Sequence, residues 1–177
     1  MIPKPPKARN LILIGARGCG KTSVGQELAR RLAWTFIDTD QRIEAVAGRT
    51  IRDIFAQDGE PAFRRLETEA IAEGLRGQQQ VFSVGGGAVR SAANRAALRA
   101  GGHCIWLTAP PEELYCRVQN DPSTATSRPP LTGLAGLDEA RHLLAERAPL
   151  YAATAHCVVS TDGLSVVQVV EAVLAAI

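Results

Sequence analysis

The stretch Leu11–Ser23, LILIGARGCGKTS, constrains the fold more than any other part of the chain. Four apolar residues, Leu11 to Ile14, read as a buried strand. Gly15 follows, and after four more residues comes Gly20-Lys21-Thr22, which satisfies the pattern G-x-x-x-x-G-K-[ST]. Such a loop must curl until its amide N–H groups converge on phosphate oxygens, and side chains at its glycines would block the approach. Gly20 to Ala33 reads as a helix, with Val24, Leu28 and Leu32 at helical spacing. The N-terminal end of that helix adds partial positive charge. Strand, glycine loop and helix, in that order, form the context in which the motif binds a nucleoside triphosphate. The expected binding loop is Gly15, Ala16, Arg17, Gly18, Cys19, Gly20, Lys21, Thr22 and Ser23. Lys21 supplies a mobile cation for the β- and γ-phosphates, and the Thr22 hydroxyl suits Mg²⁺.

The rest of the chain repeats the alternation. Thr35–Asp38, Val81–Val84, His103–Thr108 and His156–Thr161 read as further strands, separated by helical patterns. Thr50, Ser91 and Asp138 stand where helix caps are expected. This order predicts a three-layer α/β/α domain over residues 11–177, with a five-stranded parallel sheet and a short tail at residues 1–10. Gln119 to Gly136, rich in Pro, Ser, Thr and Gly and carrying Arg128, reads as a long loop, either a lid or a disordered tether. With 46% hydrophobic and 21% charged residues and a net charge of +2, the composition is that of a soluble globular protein. Its Lys and Arg residues are dispersed, which gives no support to nucleic-acid or membrane binding. No apolar run has the length of a membrane span. Cys19, Cys104, Cys116 and Cys157 form no CxxC pair, as expected for free thiols in a reducing cytoplasm.

The loop motif does not by itself decide what happens to the γ-phosphate. No N-K-x-D base-reading motif occurs, and Ser83 stands at the third strand where a motor ATPase would carry an acid. Both absences favour a small kinase. Asp38 and Asp40, in FIDTD, fall at the carboxyl end of the second strand, where open α/β sheets bind ligands. Alternation along an extended chain would point both the same way, one toward a metal's water shell and one toward an acceptor hydroxyl. Asp40 is also placed to cap the helix that follows. Gly85, Gly86 and Gly87 end the third strand with amides a polar ligand can approach closely. Arg64, with Glu67 one helical turn on, and Arg147 are candidate forks for a carboxylate, which makes a small acid the expected acceptor.

At this point the sequence resembles the shikimate kinases, P-loop small-molecule kinases related to nucleoside monophosphate kinases. GARGCGKT, FIDTD, FRRLE, SVGGGAV, RPPL and ERAPLY occur in the family's order and at about its spacing, from Asn10 to Ile177. The resemblance implies ATP-dependent phosphorylation of the 3-hydroxyl of shikimate, a step toward chorismate and the aromatic amino acids. It implies that Asp40 binds the substrate hydroxyls and acts as base, and that Arg64 and Arg147 hold the carboxylate. Gly85, Gly86 and Gly87 would contact the ring hydroxyls. Lys21 and Arg128 would neutralise the transferring phosphoryl, Arg117 would stack on adenine, and Thr22 would ligate Mg²⁺ with Asp38 and Ser83 acting through water. A cytoplasmic monomer that binds ATP and shikimate, and neither nucleic acid nor membrane, is expected. A gluconate kinase of the same build and a non-catalytic ATP-binding regulator are the rival readings. For Cys19 two readings stay open: a reactive thiol that ATP protects, or a small residue filling the loop.

Overall fold

The computed structural model describes residues 9–121 and 134–177. Five strands form one parallel sheet: β1 (Asn10–Ile14), β2 (Thr35–Asp38), β3 (Gln80–Ser83), β4 (His103–Thr108) and β5 (Cys157–Ser160). Their spatial order is β2-β3-β1-β4-β5. Parallel neighbours need crossovers, and seven helices among the described residues accompany them. These are α1 (Lys21–Leu32), α2 (Thr39–Ala47), α3 (Ile51–Gly74), α4 (Ala92–Gly101), α5 (Pro111–Asn120), α6 (Gly136–Thr154) and α7 (Val166–Ala176).

The side-chain alternation of β1 explains the layers. Leu11 and Leu13 face one side and pack with Val24 and Leu28 of α1 and Val169, Val170 and Val173 of α7. Ile12 and Ile14 face the other side and pack with Ile71 of α3, Leu98 of α4 and Tyr151 of α6. Both faces of the central strand are therefore fully buried, as its unbroken apolar run requires. A third cluster, Ile43, Ile51, Ile54, Phe63 and Ala70, joins α2 to α3. Helix α3 is not continuous: Gly59 has φ 78° and ψ 173°, and Pro61 restarts the helix beyond it.

Local signals set most helix starts. Thr50 and Ser91 cap α3 and α4 through their side chains, and Ser165 with Gln168 forms a capping box at α7. Asp138, expected as a cap, instead lies in the first turn of α6, whose N-cap is Ala135; there it complements the helix dipole. Chain reversal places the sheet's turning point at β1, where the path leaves first toward β3 and β2 and then toward β4 and β5. The crevice beyond the carboxyl ends of these strands is where such sheets take ligands. The expected lid falls largely outside the described residues, since α5 runs to Asn120 and α6 begins at Gly136. Arg128 lies outside the described residues. Among the described residues no helix is long and apolar enough to cross a membrane.

Candidate active site

A cleft of about 530 Å³ opens at those carboxyl ends. Gly18, Gly20, Lys21, Thr22 and Ser23 form one side. Asp38, Asp40 and Gln41, from the end of β2 and the start of α2, form the second, and Ser83, Val84, Gly85 and Gly86 after β3 form the third. Arg117, Val118 and Asp121 close it from α5.

The loop's glycines are demanded by its geometry. Gly15, Gly18 and Gly20 have φ of 143°, 82° and 88°. A Cβ at Gly15 would run into the Leu107 carbonyl, and one at Gly18 would lie 2.6 Å from the Leu114 carbonyl oxygen. The ammonium of Lys21 donates to the carbonyls of Gly15 and Ala16 at 2.9 Å each and lies 3.6 Å from the Cys19 sulfur. It is thus folded back on its own loop. Cys19 is fully buried in the core beneath α1, which supports the space-filling reading and removes the access a thiol reagent needs.

Asp38 and Asp40 do share the cleft, but not through strand alternation. The chain turns helical at Thr39, so Asp40 sits in the first turn of α2. The cap of that helix is Asp38, not Asp40: Asp38 Oδ1 accepts the Asp40 N–H at 3.0 Å. Its other oxygen, Oδ2, accepts the Thr22 hydroxyl at 3.0 Å. Asp38 thereby ties the phosphate loop's helix to the acceptor side, and the strand register sets Ser83 beside it. Asp40, relieved of capping, is turned to the cleft.

The hydroxyl of Thr22 and the carboxylate of Asp38 are hard oxygen donors held together at the loop's mouth, a pairing suited to a divalent cation. Among the described residues no group of three or more His, Cys, Asp or Glu could hold an ion alone. A cation that takes much of its coordination from phosphate and water fits such a sparse donor set.

The glycine turn forms the wall opposite the loop. The Gly85 N–H donates to the buried Thr39 hydroxyl at 3.2 Å, which joins the turn to the Asp38–Asp40 segment. A Cβ on Gly86 would lie 3.3 Å from the Gly15 carbonyl oxygen, and one on Gly87 would lie 2.6 Å from Arg64 Nη1. The turn is therefore pressed between the phosphate loop and an arginine. Arg64 is held by buried Glu67 at 2.8 Å and by Glu60 at 2.9 Å. Burial acts to lower its pKa, but the two carboxylates outweigh burial and raise it. Arg147 is buried beside Tyr151, and its Nε has no hydrogen-bond partner among the described residues. Neither Arg64 nor Arg147 lines the cleft; Arg64 lies against Gly87 behind the turn, and Arg147 is reached through Tyr151, whose hydroxyl donates to the Gly86 carbonyl. Arg117 is locked by Glu113 at 2.7 Å and by the Thr161 hydroxyl at 2.9 Å and carbonyl at 2.8 Å. This fixes its guanidinium at the edge of the phosphate loop, beside Gly18.

Thr39, Glu60 and Thr161 hold site residues in place and were not singled out from the sequence. Glu60 had a legible signal, since it stands four residues before Arg64 on a helical pattern. Thr39 and Thr161 had none, because their partners are distant in the chain.

The sequence profile of the shikimate kinase family matches residues 17–177. The fold and this match define the chain as a P-loop kinase. It is 47% identical to a shikimate kinase of Symbiobacterium thermophilum over 93% of this chain and 94% of the relative. It is 38% identical to a shikimate kinase of Rhodopirellula baltica over 96% of this chain and 91% of that one. Among solved structures, the shikimate kinase from Acinetobacter baumannii in complex with shikimate superposes with a TM-score of 0.88 at 34% identity, covering 94% of this chain and 90% of that one. The chain belongs to the shikimate kinase family.

Proposed function

We propose that this protein transfers the γ-phosphoryl group of ATP to the 3-hydroxyl of shikimate, giving shikimate 3-phosphate and ADP. One observation carries the reading: Asp40 and the Gly85–Gly86 turn face the phosphate loop across a single cleft, with Arg64 against Gly87 behind the turn. A triphosphate seated on the loop brings its γ-phosphorus toward Asp40. The acceptor's hydroxyl oxygen bonds to that phosphorus as the bridging oxygen departs with ADP, and the hydroxyl proton passes to Asp40. Lys21 leaves its loop carbonyls to meet the β- and γ-phosphates. Arg64 and Arg147 take the acid's carboxylate, and the Gly85–Gly86–Gly87 turn meets the ring hydroxyls. Arg117 packs on the base, and Arg128 adds a second cation to the phosphoryl group.

Thr22 would hold Mg²⁺, with Asp38 and Ser83 reaching it through water. When bound, the ion neutralises charge developing on the phosphate oxygens. The protein's own share is positioning: in phosphoryl transfer most of the catalytic effect comes from alignment and fixed charge. A coupled ADP-release assay across shikimate, quinate, gluconate and a nucleoside monophosphate tests the reading. ADP release above the ATP-only background with shikimate, and far less with the others, is expected. A larger response to gluconate or to the nucleotide would replace shikimate as the acceptor. ATP binding without release in any arm would favour a regulatory role.

A further inference from the structure

Tyr151 lies under the site and has no part in the reaction described above. It is fully buried at the cleft end of the core, where its ring stacks on Trp106 with centroids 5.5 Å apart. Burial pushes its pKa well above the ordinary phenol range, so the hydroxyl keeps its proton at any working pH. That proton is committed: Tyr151 Oη donates to the Gly86 carbonyl oxygen at 2.6 Å.

The consequence follows from peptide geometry. The described chain has no cis peptide bond, so the Gly86 carbonyl and the Gly87 N–H point in opposite directions across one rigid plane. Anchoring the carbonyl to a hydroxyl in the core aims the Gly87 N–H away from Tyr151, and Gly87 itself abuts the Arg64 guanidinium, since a Cβ there would lie 2.6 Å from Nη1. A glycine turn has little rotational preference of its own. Without an anchor the plane could flip, turning a donor into an acceptor where the polar groups of the acid are to bind. Gly86 also abuts the phosphate loop, since a Cβ there would lie 3.3 Å from the Gly15 carbonyl oxygen and 3.6 Å from the Arg17 nitrogen. The same anchor thus sets the spacing between the acceptor wall and the phosphate loop.

We propose that Tyr151 is a positioning residue for the acceptor site: its hydroxyl fixes the Gly86–Gly87 peptide so that the Gly87 N–H is presented to the bound acid beside Arg64. The inference deepens the shikimate kinase reading and rests on it for the identity of the acid.

Tyr151→Phe keeps the ring and the Trp106 stack and removes only the donor. A buried hydrogen bond of this kind is worth about three- to tenfold in an equilibrium constant, so the shikimate KM is expected to rise by about that factor while the ATP KM holds. Amide hydrogen exchange over residues 85–88 should speed up by a similar factor, with exchange in α1 unchanged. Trp106→Phe serves as the control for lost packing: it should lower the melting temperature without moving the ratio of the two KM values. An unchanged shikimate KM together with unchanged exchange at residues 85–88 would overturn the proposal. So would a parallel rise in both KM values that Trp106→Phe reproduces, since that marks loss of packing alone. If the parent protein does not phosphorylate shikimate, the substrate reading fails, and the exchange rates alone decide the role of Tyr151.

Discussion

At the residue scale the chemistry turns on three kinds of group: a mobile cation, a carboxylate and two arginines. The Lys21 ammonium donates to the Gly15 and Ala16 carbonyls of its own loop. Lys21→Ala should abolish phosphoryl transfer, because the charge facing the β- and γ-phosphates is lost; turnover near the parent rate would show that the loop is not the active one. Asp40→Asn keeps the shape and removes basicity. It should lower kcat by about 10²–10⁴ while calorimetry still shows nucleotide binding. Arg64→Ala and Arg147→Ala should each weaken shikimate, since truncating one member of a buried charge-assisted pair typically costs about 2–5 kcal/mol. Their ATP KM should stay near the parent value, and a shikimate KM unmoved in both would place the carboxylate elsewhere. The loop residues and the two aspartates were legible because each is fixed by neighbours in sequence. The division of labour between the aspartates was not, since strand periodicity was carried one residue past the point where the Asp38 cap starts α2.

At the scale of elements, strands were legible to within a residue because β-branched and apolar runs bounded by glycine and polar residues leave little freedom. The break in α3 was less visible, although Gly59 and Pro61 together mark it in retrospect. The β4–β5 pairing carries a consequence for pH. His103 opens β4 and His156 precedes β5, and their rings stack with centroids 4.8 Å apart. His156 Nδ1 accepts the Cys104 N–H at 2.9 Å, which requires an unprotonated nitrogen. Burial and the neighbouring His156 lower the pKa of His103; burial and Arg99 lower that of His156. Both rings therefore bind protons less readily in the folded chain than at their ordinary value of 6.5. Their contribution to stability is whole above that value and is lost as pH falls through the lower folded values. The melting temperature should drop on acidification from about pH 7.5 to 5.5, and the drop should be shallower in His103→Phe, which keeps a stacked ring without a titrating nitrogen. Equal slopes for parent and variant would show that the pair does not contribute.

At the scale of the molecule, alternating elements implied a parallel sheet, but not the order β2-β3-β1-β4-β5. That order matters chemically. Pairing β2 with β3 sets Asp38 beside Ser83 and brings the Gly85–Gly87 turn against Thr39. Placing β1 next to β3 lays the phosphate loop against the same turn. Contacts between residues so far apart in the chain carry no local signature. For that reason the arginines could be named as candidate acid ligands from the sequence, yet their place outside the cleft lining could not. The central claim is that one cleft holds both a triphosphate and an acid with a reactive hydroxyl. The most direct test is phosphorus NMR of the products formed from ATP and shikimate, with proton–phosphorus coupling to locate the new ester. ADP and a single phosphomonoester on the 3-hydroxyl, formed only when both substrates are present, are the expected products. ATP consumed at the same rate with and without shikimate, or a phosphate on another hydroxyl, would contradict the claim.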